Sequence, residues 1–204
     1  ALLGAGLVVV HCRHEELQAD LAGCVSTLAR WVDWCGERRI TLTVENSSRQ
    51  PLRPFVDLFA AVPGLKFTLD VKHAYKPKLL GLTHIDYVRE LGQRVANFHM
   101  LGIDPGRDDD LGDGIPAGNE PPGFSWRQLA DDLAERHYAG LITAECSVHV
   151  EAGDEDRLYY DLPPADDAAP TLAHRLSRHN VRFFADKFAR VIAAARCAGD
   201  PAIQ

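Results

Sequence analysis

Residues 66–75, KFTLDVKHAY, begin as a buried strand and end on residues that carry chemistry. Apolar Phe67 and Leu69 alternate with polar neighbours, and this two-residue period is typical of a β-strand. Asp70 ends the apolar stretch, and His73 follows it closely. A single aspartate in this place is explained by capping, because a carboxylate accepts the unpaired N–H groups where a helix or turn begins. The ends of the other strands therefore decide whether Asp70 has a second role.

Four more apolar stretches of strand length, rich in β-branched residues, alternate with helical stretches along the chain. This order is typical of βα units and predicts an α/β fold with a parallel sheet. The predicted strands are residues 6–11, 40–45, 66–70, 95–100 and 140–145, with a weak additional strand near 123–126.

Apolar residues at spacings of three and four predict amphipathic helices between these strands. The helices are expected at residues 15–37, 51–62, 84–94, 125 to about 140, and 171–196. The first carries a sheet-facing stripe of Leu17, Leu21, Val25, Leu28, Val32 and Cys35. Large aromatic residues on helices usually pack against neighbouring elements, so we expect this of Trp31, Trp34 and Trp126.

The composition is that of an ordinary globular protein, with 46% hydrophobic and 25% charged residues, and predicts one domain over residues 1–204. Two long acidic stretches, 101–124 and 147–170, are expected to be functional lids or disordered loops. The net charge of −7 argues against a nucleic-acid partner and against anionic membranes. The apolar opening lacks a basic segment and is too short to span a bilayer. Five cysteines without a C-x-x-C pair favour reduced thiols and a cytoplasmic protein.

Every predicted strand finishes on, or next to, a residue able to bind a metal or move a proton. These residues are His11, Glu45, Asp70, His99 and Glu145. The carboxyl ends of parallel strands lie on one face of a sheet, and in a closed barrel they converge on one pocket. Carboxylates brought together without a cation would repel one another, so a bound divalent ion is expected. Two Glu, one Asp and a His suit Mn²⁺, Mg²⁺, Co²⁺ or Zn²⁺.

These segments resemble the xylose-isomerase-like TIM barrels, which include ketose 3-epimerases, hydroxypyruvate isomerase, inosose dehydratase and endonuclease IV. The resemblance runs from about residue 3 to 147 and rests on VVVHCR, LTVENSS, FTLDVKHA, NFHMLGID and GLITAE, which are similar to strands three to six and the last strand. The D-x-x-H-A and final Glu segments are its more specific parts. It implies a TIM (β/α)8-type barrel that lacks its first two strand–helix units here, because a complete barrel needs about 250 residues.

The resemblance implies that one metal ion is held by Glu45, Asp70, His99 and Glu145. It also implies that His11 and His73 contact substrate or a further metal. After its sixth strand the family commonly has a histidine motif, where this chain reads GRDDDLGDG at 106–114, which favours one metal or at most two.

Residues next to these ligands are candidates for supporting roles. Asn46 and Ser47 follow Glu45 and are expected to hydrogen-bond its carboxylate. Lys72 lies in a lysine-rich stretch, 72–78, that is either a solvated loop or a site for an anionic group of the substrate at the mouth of a metal pocket.

The function hypothesis is an isomerase or epimerase of a small sugar or polyhydroxy-carbonyl compound, working through an enediolate that the metal stabilises. Glu45 and Glu145 would be base and acid, and His73 would orient a substrate oxygen. Three alternatives stay open: a dehydratase with the same site, a phosphodiesterase like endonuclease IV, and a non-catalytic degenerate barrel. A homo-oligomer is also compatible with the sequence, since a second chain would cover open sheet edges.

Overall fold

The computed structural model describes residues 6–47, 51–75, 84–103, 116–118, 120, 122–145 and 171–197. Within these residues a five-stranded parallel sheet alternates with helices, which confirms the α/β class. Strand order follows chain order: β1 (Leu7–His11), β2 (Thr41–Glu45), β3 (Lys66–Asp70), β4 (Val95–Met100) and β5 (Leu141–Ala144). All five predicted strands are therefore confirmed to within a residue at either end.

The helices lie between the strands and after the last strand. They are α1 (His14–Ala19), α2 (Leu21–Gly36), α3 (Leu52–Ala61), α4 (Val71–Tyr75), α5 (His84–Leu91), α6 (Trp126–Glu135), α7 (Leu172–Lys187) and α8 (Ala189–Cys197). The chain divides into two compact units, Ala1–Phe98 and His99–Gln204, and the boundary falls inside strand β4. The single domain over residues 1–204 stays a prediction.

The first unit is built on strands β1 to β3. Leu7 pairs with Thr41 and His11 with Glu45, so β1 and β2 end at the same level. The outward face of β3 is held by an aromatic cluster, in which the Phe67 ring lies 5.3 Å from Phe55 and 5.4 Å from Phe59. Burial of these apolar rings anchors α3 on the sheet.

The second unit packs around Trp126, which is fully buried at the start of α6. Its ring lies 4.6 Å from Phe124 and 5.1 Å from Phe184. A polar clamp joins α7 to the short segment 116–118: Asn180 Oδ1 accepts the Ala117 N–H at 2.7 Å, and the His179 ring contacts the Ala117 carbonyl at 2.7 Å.

Two predicted helices are wrong in their continuity. The helix expected at 15–37 is divided at Asp20, whose non-helical backbone ends α1 and whose carboxylate accepts the Gly23 N–H at 2.8 Å. The helix expected at 171–196 is divided at Phe188, between α7 and α8. The weak strand expected at 123–126 is also wrong, because this stretch holds a turn with Gly123 at φ +82° and the first residue of α6.

The prediction for the tryptophans is right for one of three. Trp126 is buried as expected, but Trp31 and Trp34 on α2 are 46% and 54% exposed. The Arg38 guanidinium lies 4.1 Å from the centre of the Trp34 ring and partly covers it. The predicted loop at 147–170 lies outside the described residues, and of the predicted loop at 101–124 the structure describes 101–103, 116–118, 120 and 122–124.

Candidate metal centre

Glu45 stands at the carboxyl end of β2 with its side chain only 4% exposed. It lies directly opposite His11 in the β1–β2 register, and the His11 Nε2 is 3.0 Å from its Oε2. The His11 side chain is 64% exposed, so this imidazole lies at the surface while its partner is buried. The exposure rules out a core histidine, and the contact places His11 beside a predicted metal ligand.

Asp70 ends β3 and is buried. Its Oδ1 accepts the backbone N–H of His73 at 2.6 Å, so the carboxylate caps the short helix α4 that follows. The simple capping explanation of Asp70 is therefore correct. It does not exhaust the role of the residue, because a carboxylate has a second oxygen.

Asn46 supports the end of β3 rather than the Glu45 carboxylate. Its Oδ1 accepts the Asp70 N–H at 2.9 Å, and its Nδ2 donates to the Asp70 carbonyl at 3.1 Å. The expected hydrogen bond from Asn46 to Glu45 is replaced by this contact because the β2–β3 register brings the asparagine beside the Asp70 backbone.

His99 and Glu145 come together at the ends of β4 and β5. The Glu145 N–H donates to the Met100 carbonyl at 3.0 Å, which brings the end of β5 beside the end of β4. His99 Nδ1 lies 3.3 Å from Glu145 Oε2. The His99 side chain is 10% exposed and that of Glu145 is 40% exposed, so this pair faces solvent on the side of the glutamate.

One group of metal-ligating residues stands out among the described residues. Each member offers one ligand atom, these atoms all lie within 4.8 Å of one another, and the members are Glu45, Asp70, His99 and Glu145. This is the set that the resemblance implies, brought together by the ends of four neighbouring strands of the sheet.

The donor set fits a divalent cation. Two ligands on opposite sides of an octahedral Mg²⁺ are about 4.2 Å apart, twice a bond of about 2.1 Å. The ligand atoms of the cluster, all within 4.8 Å of one another, exceed this spacing by at most about 0.6 Å. Three carboxylates at this spacing repel one another in the absence of a positive charge. Mixed carboxylate and imidazole ligands suit Mn²⁺, Mg²⁺, Co²⁺ or Zn²⁺.

A chain of buried hydroxyl groups lies one layer below the carboxylates. Thr68 Oγ1 donates to Thr43 Oγ1 at 2.7 Å, and Thr43 Oγ1 donates to the Val8 carbonyl at 3.1 Å. Thr43 and Thr68 stand two positions before Glu45 and Asp70, hence on the same face of the sheet. These two hydrogen bonds link β1, β2 and β3 below the site. This hydrogen-bonded pair of threonines was not among the predicted site residues, although a threonine stands two residues before each acid in the sequence.

The remaining predicted site residues lie on α4. Lys72 is buried, so the solvated-loop interpretation is wrong for this residue, and His73 is half-buried with its N–H bonded to Asp70. The sequence placed both in a loop, but they belong to a short helix. Lys76 and Lys78 lie outside the described residues. The substrate contacts expected of His11, Lys72 and His73 stay predictions.

The thiol next to the site is held in its protonated form. Cys12 follows His11 and is buried, and burial, together with the adjacent Cys24 thiol, raises the pKa of Cys12 to about 12. Cys12, Cys24 and Cys35 all carry free thiols. Among the residues described by the structure, no helix combines the length and apolar character needed to cross a membrane.

A parallel sheet whose strand ends carry carboxylates and a histidine, with a helix after each strand, is the architecture of a TIM-type barrel. Solved structures of sugar 3-epimerases share this fold. D-psicose 3-epimerase from Clostridium cellulolyticum H10, crystallised with D-tagatose, matches with a TM-score of 0.54 and 15% identity over 80% of this chain and 55% of that chain.

Two further epimerase structures agree. A D-psicose 3-epimerase crystallised in the presence of D-fructose matches with a TM-score of 0.53 and 17% identity, over 80% of this chain and 55% of that chain. An L-ribulose 3-epimerase matches with a TM-score of 0.56 and 14% identity, over 97% of this chain and 62% of that chain.

These likenesses confirm the predicted fold: the chain has the fold of part of a xylose-isomerase-like TIM barrel. It spans between 55% and 62% of the length of these epimerases. The sequence matches no model of a protein family and no curated protein sequence.

Proposed function

We propose that this chain forms the metal-binding part of an isomerase or epimerase that acts on a small sugar or related polyhydroxy-carbonyl compound. The observation that carries the proposal is the convergence of Glu45, Asp70, His99 and Glu145 at the strand ends. The fold of the sugar 3-epimerases supports it. The free thiols agree with a reducing compartment such as the cytoplasm.

One divalent ion would be held by the four clustered side chains. When bound, such an ion polarises a carbonyl and an adjacent hydroxyl group and makes the proton on the carbon between them easier to remove. The chain would bind the cation, position the sugar against it and move protons.

The proton transfer is assigned to the two glutamates. One carboxylate would remove the proton from the reacting carbon on one face, and the other would return a proton on the opposite face, so no net proton is consumed. Glu45 is buried beside His11, and Glu145 is partly open to solvent. This difference favours Glu145 as the residue that exchanges its proton with water.

Neighbouring residues would orient the sugar. The proposed substrate contacts are His11 at the rim, His73 on α4 and the buried cation of Lys72. Lys72 would hold an oxygen or an anionic group of the substrate, because an ammonium group donates hydrogen bonds to such oxygens.

The first experiment measures bound metal by plasma mass spectrometry, together with activity on D-psicose, L-ribulose and D-fructose in D₂O. We expect about one Mn, Co, Mg or Zn per chain. Deuterium should enter the substrate at the epimerised carbon. Glu45→Gln should lower turnover by at least about 10²-fold. Glu135→Gln, an exposed glutamate on α6, is the matched control and should change neither measurement.

Each other outcome points to a different function. A product lighter by one water would indicate a dehydratase. About three zinc ions per chain with cleavage of abasic DNA would indicate a nuclease of the endonuclease IV kind. Binding of metal without turnover of any of these substrates would leave a degenerate, non-catalytic barrel. Absence of bound metal in the wild-type protein would refute the site itself.

A further inference from the structure

Asn46 holds both backbone polar groups of a single residue, Asp70. Its amide oxygen accepts the Asp70 N–H at 2.9 Å, and its amide nitrogen donates to the Asp70 carbonyl at 3.1 Å. The Asn46 side chain is fully buried. A buried amide that makes two hydrogen bonds to one residue fixes that residue from both sides.

This contact continues the sheet beyond the end of β2. The β2–β3 pairing is described through Glu45 opposite Thr68, and Asn46 comes next along the chain. Asp70 lies where β3 passes into α4, a point at which the backbone changes direction. The Asn46 amide therefore acts as a peptide group would, and it fixes the backbone dihedral angles of Asp70 at this junction.

The carboxylate of Asp70 is held by a separate hydrogen bond. Its Oδ1 accepts the His73 N–H at 2.6 Å, which restricts rotation of the side chain. With the backbone fixed by Asn46 and one oxygen fixed by α4, the other oxygen, Oδ2, has a defined direction.

We propose that Asn46 is a positioning residue that sets the direction of the Asp70 carboxylate toward the cation. The inference rests on the metal site of the proposed function and adds to it a residue that is not itself a ligand. Asn46 acts through Asp70 and does not itself contact the ion.

The test uses the isosteric variant Asn46→Leu, which fills the same space without hydrogen bonds. We expect it to weaken Mn²⁺ binding, measured by titration calorimetry, by about 10- to 100-fold, the usual effect of removing a group that orients a metal ligand. Asn180→Leu on α7 is the matched control: Asn180 is equally buried, and its amide oxygen accepts a backbone N–H, that of Ala117. Its Mn²⁺ affinity should stay within about twofold of the wild type.

A double-mutant cycle separates positioning from general loosening of the fold. In an Asp70→Asn background, Asn46→Leu should weaken Mn²⁺ binding by no more than about twofold further, since its action passes through the lost carboxylate. Additive losses in the double variant, or an unchanged affinity in Asn46→Leu alone, would overturn the proposal.

Hydrogen exchange of the peptide covering 66–75 keeps the two proposals distinguishable. Asn46→Leu removes the acceptor of the Asp70 N–H, so exchange at Asp70 and His73 should rise, while Asn180→Leu should leave it unchanged. If the wild type binds no Mn²⁺, the proposed metal site fails, and exchange alone decides whether Asn46 fixes Asp70. Unchanged exchange would refute the role of Asn46 even in a protein that binds metal.

Discussion

Substituting Asp70 in two ways should separate its structural role from its chemical one. Asp70→Asn keeps an oxygen that can accept the His73 N–H, so the cap on α4 is retained while the negative charge is lost. Asp70→Ala removes both. The loss of a helix cap typically costs about 1 kcal/mol, so only the alanine variant should lose this amount of free energy of unfolding in the absence of metal.

The second role of Asp70, as a metal ligand, is measured by how much a bound cation raises the free energy of unfolding. At a Mn²⁺ concentration one hundred times its Kd, a cation that binds only the folded chain stabilises it by about 2.7 kcal/mol. If Asp70→Asn weakens binding one hundredfold, the same Mn²⁺ concentration equals the new Kd, and the gain falls to about 0.4 kcal/mol. For a chain of this size, the difference corresponds to about 5 to 9 °C in Tm.

The assay is urea and thermal unfolding of the wild type and both variants, with Mn²⁺ and with a chelator. We expect Asp70→Asn to match the wild type in chelator and to lose most of the metal-dependent increase. An Asp70→Asn variant that is stabilised by Mn²⁺ as strongly as the wild type would refute the assignment of Asp70 as a ligand. A variant that is destabilised in chelator as much as Asp70→Ala would refute the account of the cap.

Three further predictions concern residues outside the metal ligands. Burial lowers the pKa of His84 from 6.5 to about 4 against the opposing charge of Asp86, so the unfolded chain takes up a proton below about pH 6.5 while the folded chain does not. The free energy of unfolding should therefore fall by up to about 3 kcal/mol as the pH drops from 6.5 to 4. In urea unfolding, His84→Leu should lack this part of the loss. Parallel pH profiles for the wild type and the variant would contradict the prediction. Because the pKa of Cys12 is raised to about 12, this thiol should react with iodoacetamide at pH 8 far more slowly than Cys24, as followed by peptide mass spectrometry, and equal rates would contradict its burial. Phe67→Ala should destabilise the chain by about 3 to 5 kcal/mol in urea unfolding, since Phe67 is fully buried in the aromatic cluster, and a cost under about 1 kcal/mol would show that the cluster is not a core.

The strands and their chemical ends could be predicted because both depend on short-range patterns. Alternation and β-branched residues define β1 to β5, and the rule that parallel strands end on one face brings Glu45, Asp70 and His99 together without knowledge of the loops. The direction of each side chain within the cluster does not follow from this rule, since it depends on rotamers and neighbours.

The errors have identifiable physical causes. The apolar stripe along 15–37 keeps its helical spacing across Asp20, so periodicity alone does not reveal the break between α1 and α2. The signal for the break is Asp20 itself, because aspartate is a preferred N-cap residue. Trp31 and Trp34 lie outside that stripe, and their exposure follows from helical geometry once the stripe is taken to face the sheet. The partner of Asn46 depends on the β2–β3 register, which only the folded chain defines.

The two faces of β3 have separate tasks. Phe67 contacts α3 on one face, while Thr68 and Asp70 belong to the hydroxyl chain and the cluster on the other. Because neighbouring positions of a strand never share a face, changes at 68 and 70 leave the helix-facing anchor intact. A library of conservative polar replacements at positions 43, 45, 68 and 70 should therefore keep the helix-facing anchor and change the chemistry of the opposite face, so β2 and β3 are a natural starting point for evolving new activities on the same scaffold.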